Sequence, residues 1–232
     1  YRVVPLGLDL SRFETAKERE GKLKSDLGLS ENGERFVGIV GRLTPIKNHN
    51  LFLEAIKLIL EEKREIRARF LIVGDGELRK DLEEMTEELA LMDRVIFTGW
   101  IKDLRSFYAE LEVLAVTSNN EGTPVAVIEA MAAGVPVIAT DVGGVRELIS
   151  ECGMGNAEWR EGEFEICERG LLVKKGDTKG FAKGLQYLLE HPEAGREMGK
   201  RGREYALEYH ATEKLVSNMD LLYKSLLFGD DK

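Results

Sequence analysis

Arg42 and Lys47 stand on one short stretch, Gly41-Arg42-Leu43-Thr44-Pro45-Ile46-Lys47-Asn48, directly after the apolar run Phe36–Val40. A continuous apolar run of this kind reads as a buried strand. Arg42 then lies just past a strand end, and Lys47 near the start of the next helix. A cation there opposes the helix dipole, which favours anions at that end. Two cations on such a loop make sense when an anion lies between them. Phosphate is the foremost candidate, with arginine as a planar fork and lysine as a point charge. Ordinary solvated surface charges are the other reading of the same spacing.

The second constellation is Glu121-Gly122-Thr123-Pro124-Val125-Ala126-Val127-Ile128-Glu129, continuing through Ala130-Met131-Ala132-Ala133 to Gly134. Pro124 at the first helical position and Thr123 as a cap mark a helix start. From Pro124 to Gly134 the only charged residue is Glu129. A helix apolar on every side is buried, and a carboxylate inside it is costly unless something hydrogen-bonds it. A buried arginine would serve. So would two vicinal hydroxyls of a ligand, as an acidic residue binds ribose in dinucleotide folds. The free amides of Val125 and Ala126 at the same helix start offer an anion site. Cations, a helix N-terminus and two carboxylates thus converge on one expected ligand, bearing phosphate and many hydroxyls.

The elements that must position these residues alternate along the chain. Apolar, β-branched runs occur at Arg35–Gly41, Arg69–Gly74, Arg94–Thr98, Glu112–Thr117 and Val135–Thr140, and a sixth at Gly170–Lys174. Helical patterns lie between most of them, at Asn48–Lys63, Glu77–Leu91, Asp103–Glu110 and Pro124–Gly134. The expectation is an α/β fold, an open doubly wound, Rossmann-like parallel sheet with flanking helices. In such sheets ligands bind beyond the carboxyl ends of the strands. The amino-terminal segment predicts a short strand at Arg2–Val4 and a helix near Lys22–Leu27. Three further helices are expected at Thr178–Glu190, Pro192–Tyr209 and Thr212–Leu227. Residues 150–169 lack a clean period and read as an irregular excursion beside the sixth strand.

Composition narrows the class further. The chain has 232 residues, is 43% hydrophobic and 32% charged, and its net charge is -9. That is enough for one large domain with a real core, and too hydrophobic for disorder. The acidic balance argues against a nucleic-acid binder. The apolar runs are too short for a membrane span. Two cysteines, Cys152 and Cys167, form neither a disulfide scaffold nor a multi-cysteine zinc site and are expected as free thiols. No signal-peptide pattern is present, so a cytoplasmic location is expected. Gly74-Asp75-Gly76 reads as a tight turn, since position 79 is arginine and no Gly-x-Gly-x-x-Gly results. His49 reads as a helix-start residue beside Lys47, and Trp100 as a packed aromatic or the border of a bound base.

Glu121 and Glu129 form Glu-x7-Glu, and Ser118–Gly144 resembles the donor-binding half of retaining glycosyltransferases of the GT-B fold, family 4. Gly41–Asn48 is similar to that family's Gly-Arg-Leu-x-Pro-x-Lys stretch. Further similar pieces are Val4-Pro5-Leu6-Gly7-Leu8-Asp9 with Phe13, Ile72-Val73-Gly74-Asp75-Gly76, Val95-Ile96-Phe97-Thr98-Gly99 and Thr140-Asp141-Val142-Gly143-Gly144. The pieces fall in order over about residues 2–227. The pattern departs at 150–169, which is longer than usual, and at Leu6, where asparagine is frequent.

The resemblance implies that residues 1–232 form the C-terminal, nucleotide-sugar-binding half of a GT-B fold, its N-terminal acceptor half lying outside this chain. The start at Tyr1 rather than Met agrees with that expectation. Arg42 and Lys47 would hold the donor diphosphate and neutralise the leaving group. Glu121 would lie near the transferred sugar, and Glu129 would bind the ribose. Gly122, Thr123, Pro124, Val125 and Ala126 would line the phosphates with their backbone. The Gly99–Lys102 stretch, Ile101 within it, would border the base. Transfer would proceed with retention. No cofactor beyond the nucleotide-diphosphate sugar is implied, and no metal: no Asp-x-Asp occurs, and fixed cations with helix amides would neutralise the diphosphate instead. The implied partners are a nucleotide-sugar donor and the acceptor half, and membrane association would come only through that half. The last helix carries an apolar stripe of Leu215, Met219, Leu222, Tyr223, Leu226 and Leu227, part of which should be exposed. Two rivals remain. A nucleotide-sugar epimerase would form an epimer from donor without acceptor. A non-catalytic nucleotide- or sugar-binding module would yield no product in the intact protein.

Overall fold

Strands that are apolar on both faces must be covered on both faces, and this requirement organises the chain. The computed structural model describes residues 3–14, 20–29, 33–151 and 160–228. The chain begins with α1 (Ser11–Glu14) and α2 (Lys22–Asp26), followed by β1 (Arg35–Val40), α3 (His49–Glu62), β2 (Ala68–Val73) and α4 (Arg79–Glu88). It continues through β3 (Val95–Gly99), α5 (Leu104–Glu110), β4 (Leu111–Val116), α6 (Val125–Ala132), β5 (Val137–Thr140) and α7 (Val145–Ile149). The last elements are β6 (Phe164–Cys167), β7 (Gly170–Val173), α8 (Thr178–Glu190), α9 (Pro192–His210) and α10 (Thr212–Phe228).

The strands form one seven-stranded sheet in the order β3-β2-β1-β4-β5-β7-β6. All neighbours are parallel except β6 and β7. This is the doubly wound, Rossmann-like α/β fold expected from the alternation. Along the strands, successive side chains enter opposite layers. Val37, Ile39, Phe70, Ile72, Val113 and Ala115 pack in a layer with Phe52, Leu53 and Ile56 of α3 and Phe181 and Leu185 of α8. Phe36, Leu71, Val73, Leu114, Val137 and Ala139 pack in the other, with Phe107 and Tyr108 of α5 and Val127, Ile128 and Met131 of α6. Each large apolar side chain so buried contributes about 1.5–3 kcal/mol relative to exposure.

The order also locates the switch point. From β1 the winding goes to β2 and β3, and from β4 it goes the other way, to β5 and β7. The loops leaving β1 and β4 therefore diverge to opposite faces and open a crevice between them. These are the loops that carry Lys47 and Glu121.

Four expectations need correction. No strand forms at Val3 and Val4, while Arg2 lies outside the described residues; instead Leu8 bridges Ala211, its amide donating to His210 O at 2.8 Å and its carbonyl accepting from Thr212 at 3.1 Å. A lone amino-terminal segment finds no free sheet edge there, so it pairs with the α9–α10 junction. Residues 150–169 are not wholly irregular: Phe164–Cys167 form β6, the antiparallel edge strand joined to β7 by a tight turn. Edge position explains its weak signal, because Ile166 faces solvent and the strand needs an apolar face on one side only. Residues 152–159, Cys152 among them, lie outside the described residues. α4 begins at Arg79 because Gly76 donates to its neighbour Asp75 Oδ1 at 2.8 Å in a turn. α6 begins at Val125, with Pro124 as its extended N-cap and no side-chain capping bond, so Thr123 does not cap it.

α10 has no fully buried residue. Leu215, Met219 and Leu222 are half-buried, while Tyr223, Leu226 and Leu227 are exposed. No helix among the described residues is long and apolar enough to cross a membrane.

Candidate functional site

The loop after β1 is pinned before it reaches Lys47. Leu43 is fully buried, and its backbone is bonded to the loop after β2: its amide donates to Asp75 O at 3.0 Å and its carbonyl accepts from Leu78 at 3.1 Å. Gly74 makes the approach possible. Its φ is 130° and an added Cβ would collide with the Gly41 carbonyl oxygen. Pro45–Lys47 then form a 3-10 turn, and Asn48, at φ 49°, turns the chain into α3. The left-handed region suits asparagine better than most side chains.

Three hydrogen bonds join this turn to the loop after β4. Thr117 Oγ1 donates to Lys47 O at 2.9 Å, the Asn119 amide to Ile46 O at 2.7 Å, and Asn119 Nδ2 to Pro45 O at 3.1 Å. Farther on, Thr140 Oγ1 at the end of β5 donates to Ser118 O at 2.6 Å. Gly143, at φ 53°, packs against the Glu121 carbonyl oxygen where a Cβ would collide, and the Gly144 amide donates to Gly122 O at 3.0 Å. The backbone around Glu121 is thus held from the ends of two neighbouring strands, β1 and β5.

A cleft of about 360 Å³ opens between these loops, and Lys47, Thr117, Ser118, Glu121, Pro124 and Glu129 are among its lining residues. This lies within the usual range of small-ligand pockets. Lys47 Nζ is 2.6 Å from Glu121 Oε1, and Ser118 Oγ donates to the same oxygen at 2.6 Å. Thr123, Val125 and Ala126 line the wall at the start of α6. The first amides of a helix have no intrahelical acceptor, so those of Val125 and Ala126 face an anion-favouring end. Glu129, on the second turn of α6, is almost fully buried. Arg12 Nη2 contacts its Oε1 at 2.9 Å, and the Tyr108 hydroxyl lies 3.3 Å from its Oε2 and equally far from Ala126 O. Burial pushes the Glu129 carboxyl up, opposed first by the Arg12 charge. Burial and then Glu129 hold the Tyr108 phenol well above its usual range.

The cleft therefore gathers Lys47, Glu121, Thr123, Pro124, Val125, Ala126 and Glu129. It does not gather the rest. Arg42 is exposed, outside the cleft lining, and makes no ion pair among the described residues. Gly122 is exposed and serves as acceptor for Gly144. Ile101 is half-buried beyond β3, on the core layer of α5 and α6, and Trp100 beside it is 66% exposed rather than packed. His49 is fully buried, neither ring nitrogen has a partner among the described residues, and burial followed by the Lys47 charge lowers its pKa to about 4. Cys167 is a buried free thiol, pushed up to about 12 by burial. Asp141, in a stretch singled out by the sequence, is taken up by Arg146 at 2.7 Å, which also reaches Glu165 at 2.9 Å. Arg12, Tyr108 and Ser118 were not found from sequence. Arg12 and Glu129 lie 117 positions apart, and only the neighbourhood of Phe13 drew attention to that segment.

Fold and cleft together define a doubly wound α/β domain with a cleft at the strand-order switch point, lined by Lys47, Glu121, Glu129 and the start of α6. The comparisons with known proteins specify the family. The chain belongs to the glycosyl transferases group 1 family, whose model matches residues 24–205. It is 31% identical over 211 residues to the N-acetyl-alpha-D-glucosaminyl L-malate synthase of Bacillus anthracis, covering 91% of this chain and 50% of that protein. The chain thus spans about half the length of this curated relative. Sucrose-phosphate synthase from Thermosynechococcus elongatus matches in structure with a TM-score of 0.77 at 29% identity, over 97% of this chain and 52% of that one. Anabaena Alr3699/HepE, solved in complex with UDP, matches with a TM-score of 0.80 at 22% identity, over 97% of this chain and 57% of that one.

Proposed function

We propose that this chain is the C-terminal, donor-binding half of a retaining family 4 glycosyltransferase, which moves a sugar from a nucleoside-diphosphate sugar to an acceptor hydroxyl. The observation that carries the reading is the meeting of Lys47, Glu121, the start of α6 and Glu129 around one cleft at the switch point. A nucleoside diphosphate offers each of them a partner. The ribose diol donates to Glu129. The diphosphate accepts from the Val125 and Ala126 amides and from Lys47. The sugar hydroxyls donate to Glu121. Arg42, exposed and outside the cleft lining, contributes charge rather than a contact, and Ile101 borders the base. A relative from Escherichia coli named for UDP-Gal, 33% identical over 184 residues, and a fold neighbour bound to UDP support this ligand class.

In the reaction, the bond between the sugar anomeric carbon and the β-phosphate oxygen breaks, and the electron pair leaves with the phosphate. Lys47 and the α6 amides stabilise that developing charge, so this half needs no metal. The acceptor oxygen bonds to the anomeric carbon on the same face, and its proton passes to the departing phosphate. The acceptor site belongs to the other half, and the exposed Tyr223, Leu226 and Leu227 of α10 support a contact with it. A cytoplasmic location is part of this reading, with any membrane contact made by that other half.

The test is a thermal-shift panel of UDP-, GDP- and ADP-sugars and their diphosphates. A ligand at about 100 times its dissociation constant stabilises by ~2.7 kcal/mol, a clear shift. Binding of none of them overturns the reading. The chain alone is expected to bind donor without transferring sugar, and unchanged binding in EDTA is expected.

A further inference from the structure

Glu129 meets the cleft already engaged on both oxygens. Arg12 reaches Oε1 from α1, and Tyr108 approaches Oε2 from α5. An ionised carboxylate has about four acceptor directions, so two such contacts leave room for two more donors. Arg12 is itself held in place. Its guanidinium lies 4.8 Å over the Phe13 ring, and Phe13, fully buried, meets the Tyr108 ring edge-on at 5.6 Å. Half of the Arg12 side chain is exposed, at 54%, against 9% for that of Glu129. A solvated cation thus closes over a buried anion at the cleft wall.

We propose that Arg12 is the positioning residue of Glu129: acting with Tyr108, it fixes the carboxylate for the two ribose hydroxyls of the bound nucleotide. The inference rests on the ribose assignment above and deepens it. A carboxylate in an apolar helix is driven towards its protonated form, and a protonated carboxyl becomes a donor where the ribose needs an acceptor. Arg12 supplies the opposing charge. The other groups around Glu129 do not replace it. Tyr108 is neutral. Lys47 across the cleft is paired with Glu121. Arg203 of α9 donates to Ala132 O at the far end of α6, and Arg146 of α7 is held by Asp141 and Glu165. Strand β5 carries no charged residue, and β4 carries only Glu112, near its opposite end.

The test is calorimetric affinity for whichever of UDP, GDP and ADP binds in the panel, from about pH 8.5 to about pH 5.5, for the unaltered chain, Arg12→Ala, Arg12→Lys and Glu129→Gln. Dividing the affinity of each variant by that of the unaltered chain at the same pH cancels the titration of the ligand's own phosphate. For Arg12→Ala the deficit should widen about fivefold or more as the pH falls, because the carboxyl then protonates at higher pH. Arg12→Lys should restore a flat ratio, since a cation of similar reach returns. A deficit equal at every pH would make Arg12 a mere packing residue and overturn the proposal. Glu129→Gln separates the two levels: if it binds as tightly as the unaltered chain, the ribose assignment itself falls. If it weakens binding while the Arg12→Ala ratio stays flat, the ribose assignment stands and the role of Arg12 alone is wrong.

Discussion

The two carboxylates of the cleft are paired in opposite ways. Glu121 sits on a loop and shares one oxygen between Lys47 and Ser118, both of which also face the cleft. A ligand anion can compete for that lysine where it stands. Glu129 sits inside an apolar helix, and its partners come from α1 and α5, outside the lining of the cleft. A ligand there adds donors without removing any. The first arrangement is exchangeable, and the second is built in before the ligand arrives. The difference follows from burial: a loop carboxylate keeps some water, whereas one on α6 has to be satisfied by protein.

The largest effect is expected beside the exchangeable pair. His49 follows Lys47 by two positions and is buried neutral, with its pKa lowered from 6.5 to about 4. The unfolded chain takes up a proton as pH falls below about 6.5, while the folded chain does not. Stability is therefore full above that pH and is lost down to about pH 4, by roughly 3 kcal/mol in total. Denaturant unfolding of the unaltered chain and of His49→Gln across that window should show the unaltered chain losing more. Parallel loss in both would mean that the imidazole is not buried neutral.

Lys47→Ala comes next. Loss of a charge-assisted contact should weaken diphosphate binding by about 1.5–3 kcal/mol, with the bare nucleoside nearly unaffected. Equal weakening of both ligands in titration would remove the phosphate role.

The glutamates should separate by ligand, each Glu→Gln change losing about 1–2 kcal/mol where its partner is present. Glu129→Gln should weaken diphosphate and nucleotide-sugar alike. It should not lower the melting temperature near neutral pH, because burial raises the carboxyl pKa and a neutral amide avoids the cost of the charge. Glu121→Gln should spare the diphosphate and weaken only the nucleotide-sugar. If Glu121→Gln weakens both ligands to the same degree, the contrast between a sugar carboxylate and a ribose carboxylate is lost.

Arg42→Ala should do least. The side chain is exposed and outside the cleft lining, so a change below about 1 kcal/mol is expected, fading as salt is added. A loss as large as that of Lys47→Ala would place Arg42 on the diphosphate and show that the loop closes on the ligand.

The sequence by itself determined the alternation of strands and helices, because apolar runs and 3.6-residue periods are local. It also determined that α6 is buried, since only Glu129 interrupts its apolar surface, and that Arg42 lies just past a strand end with Lys47 near the next helix start. Edge strand β6 escaped because it is four residues long, with Ile166 facing solvent and Phe164 and Glu165 only half-buried, and its partner β7 comes only after it. Tertiary structure alone decided which loops meet. The strand order places β1 beside β4, and that adjacency brings Lys47 within 2.6 Å of Glu121, 74 positions away. It alone chose Arg12 as the partner of Glu129, leaving Arg42 in solvent although Arg42 lies in the more suggestive stretch. Composition and spacing state that a buried carboxylate needs a cation. They do not state which one, because ion pairing depends on distance in space and the chain order carries that distance only within an element.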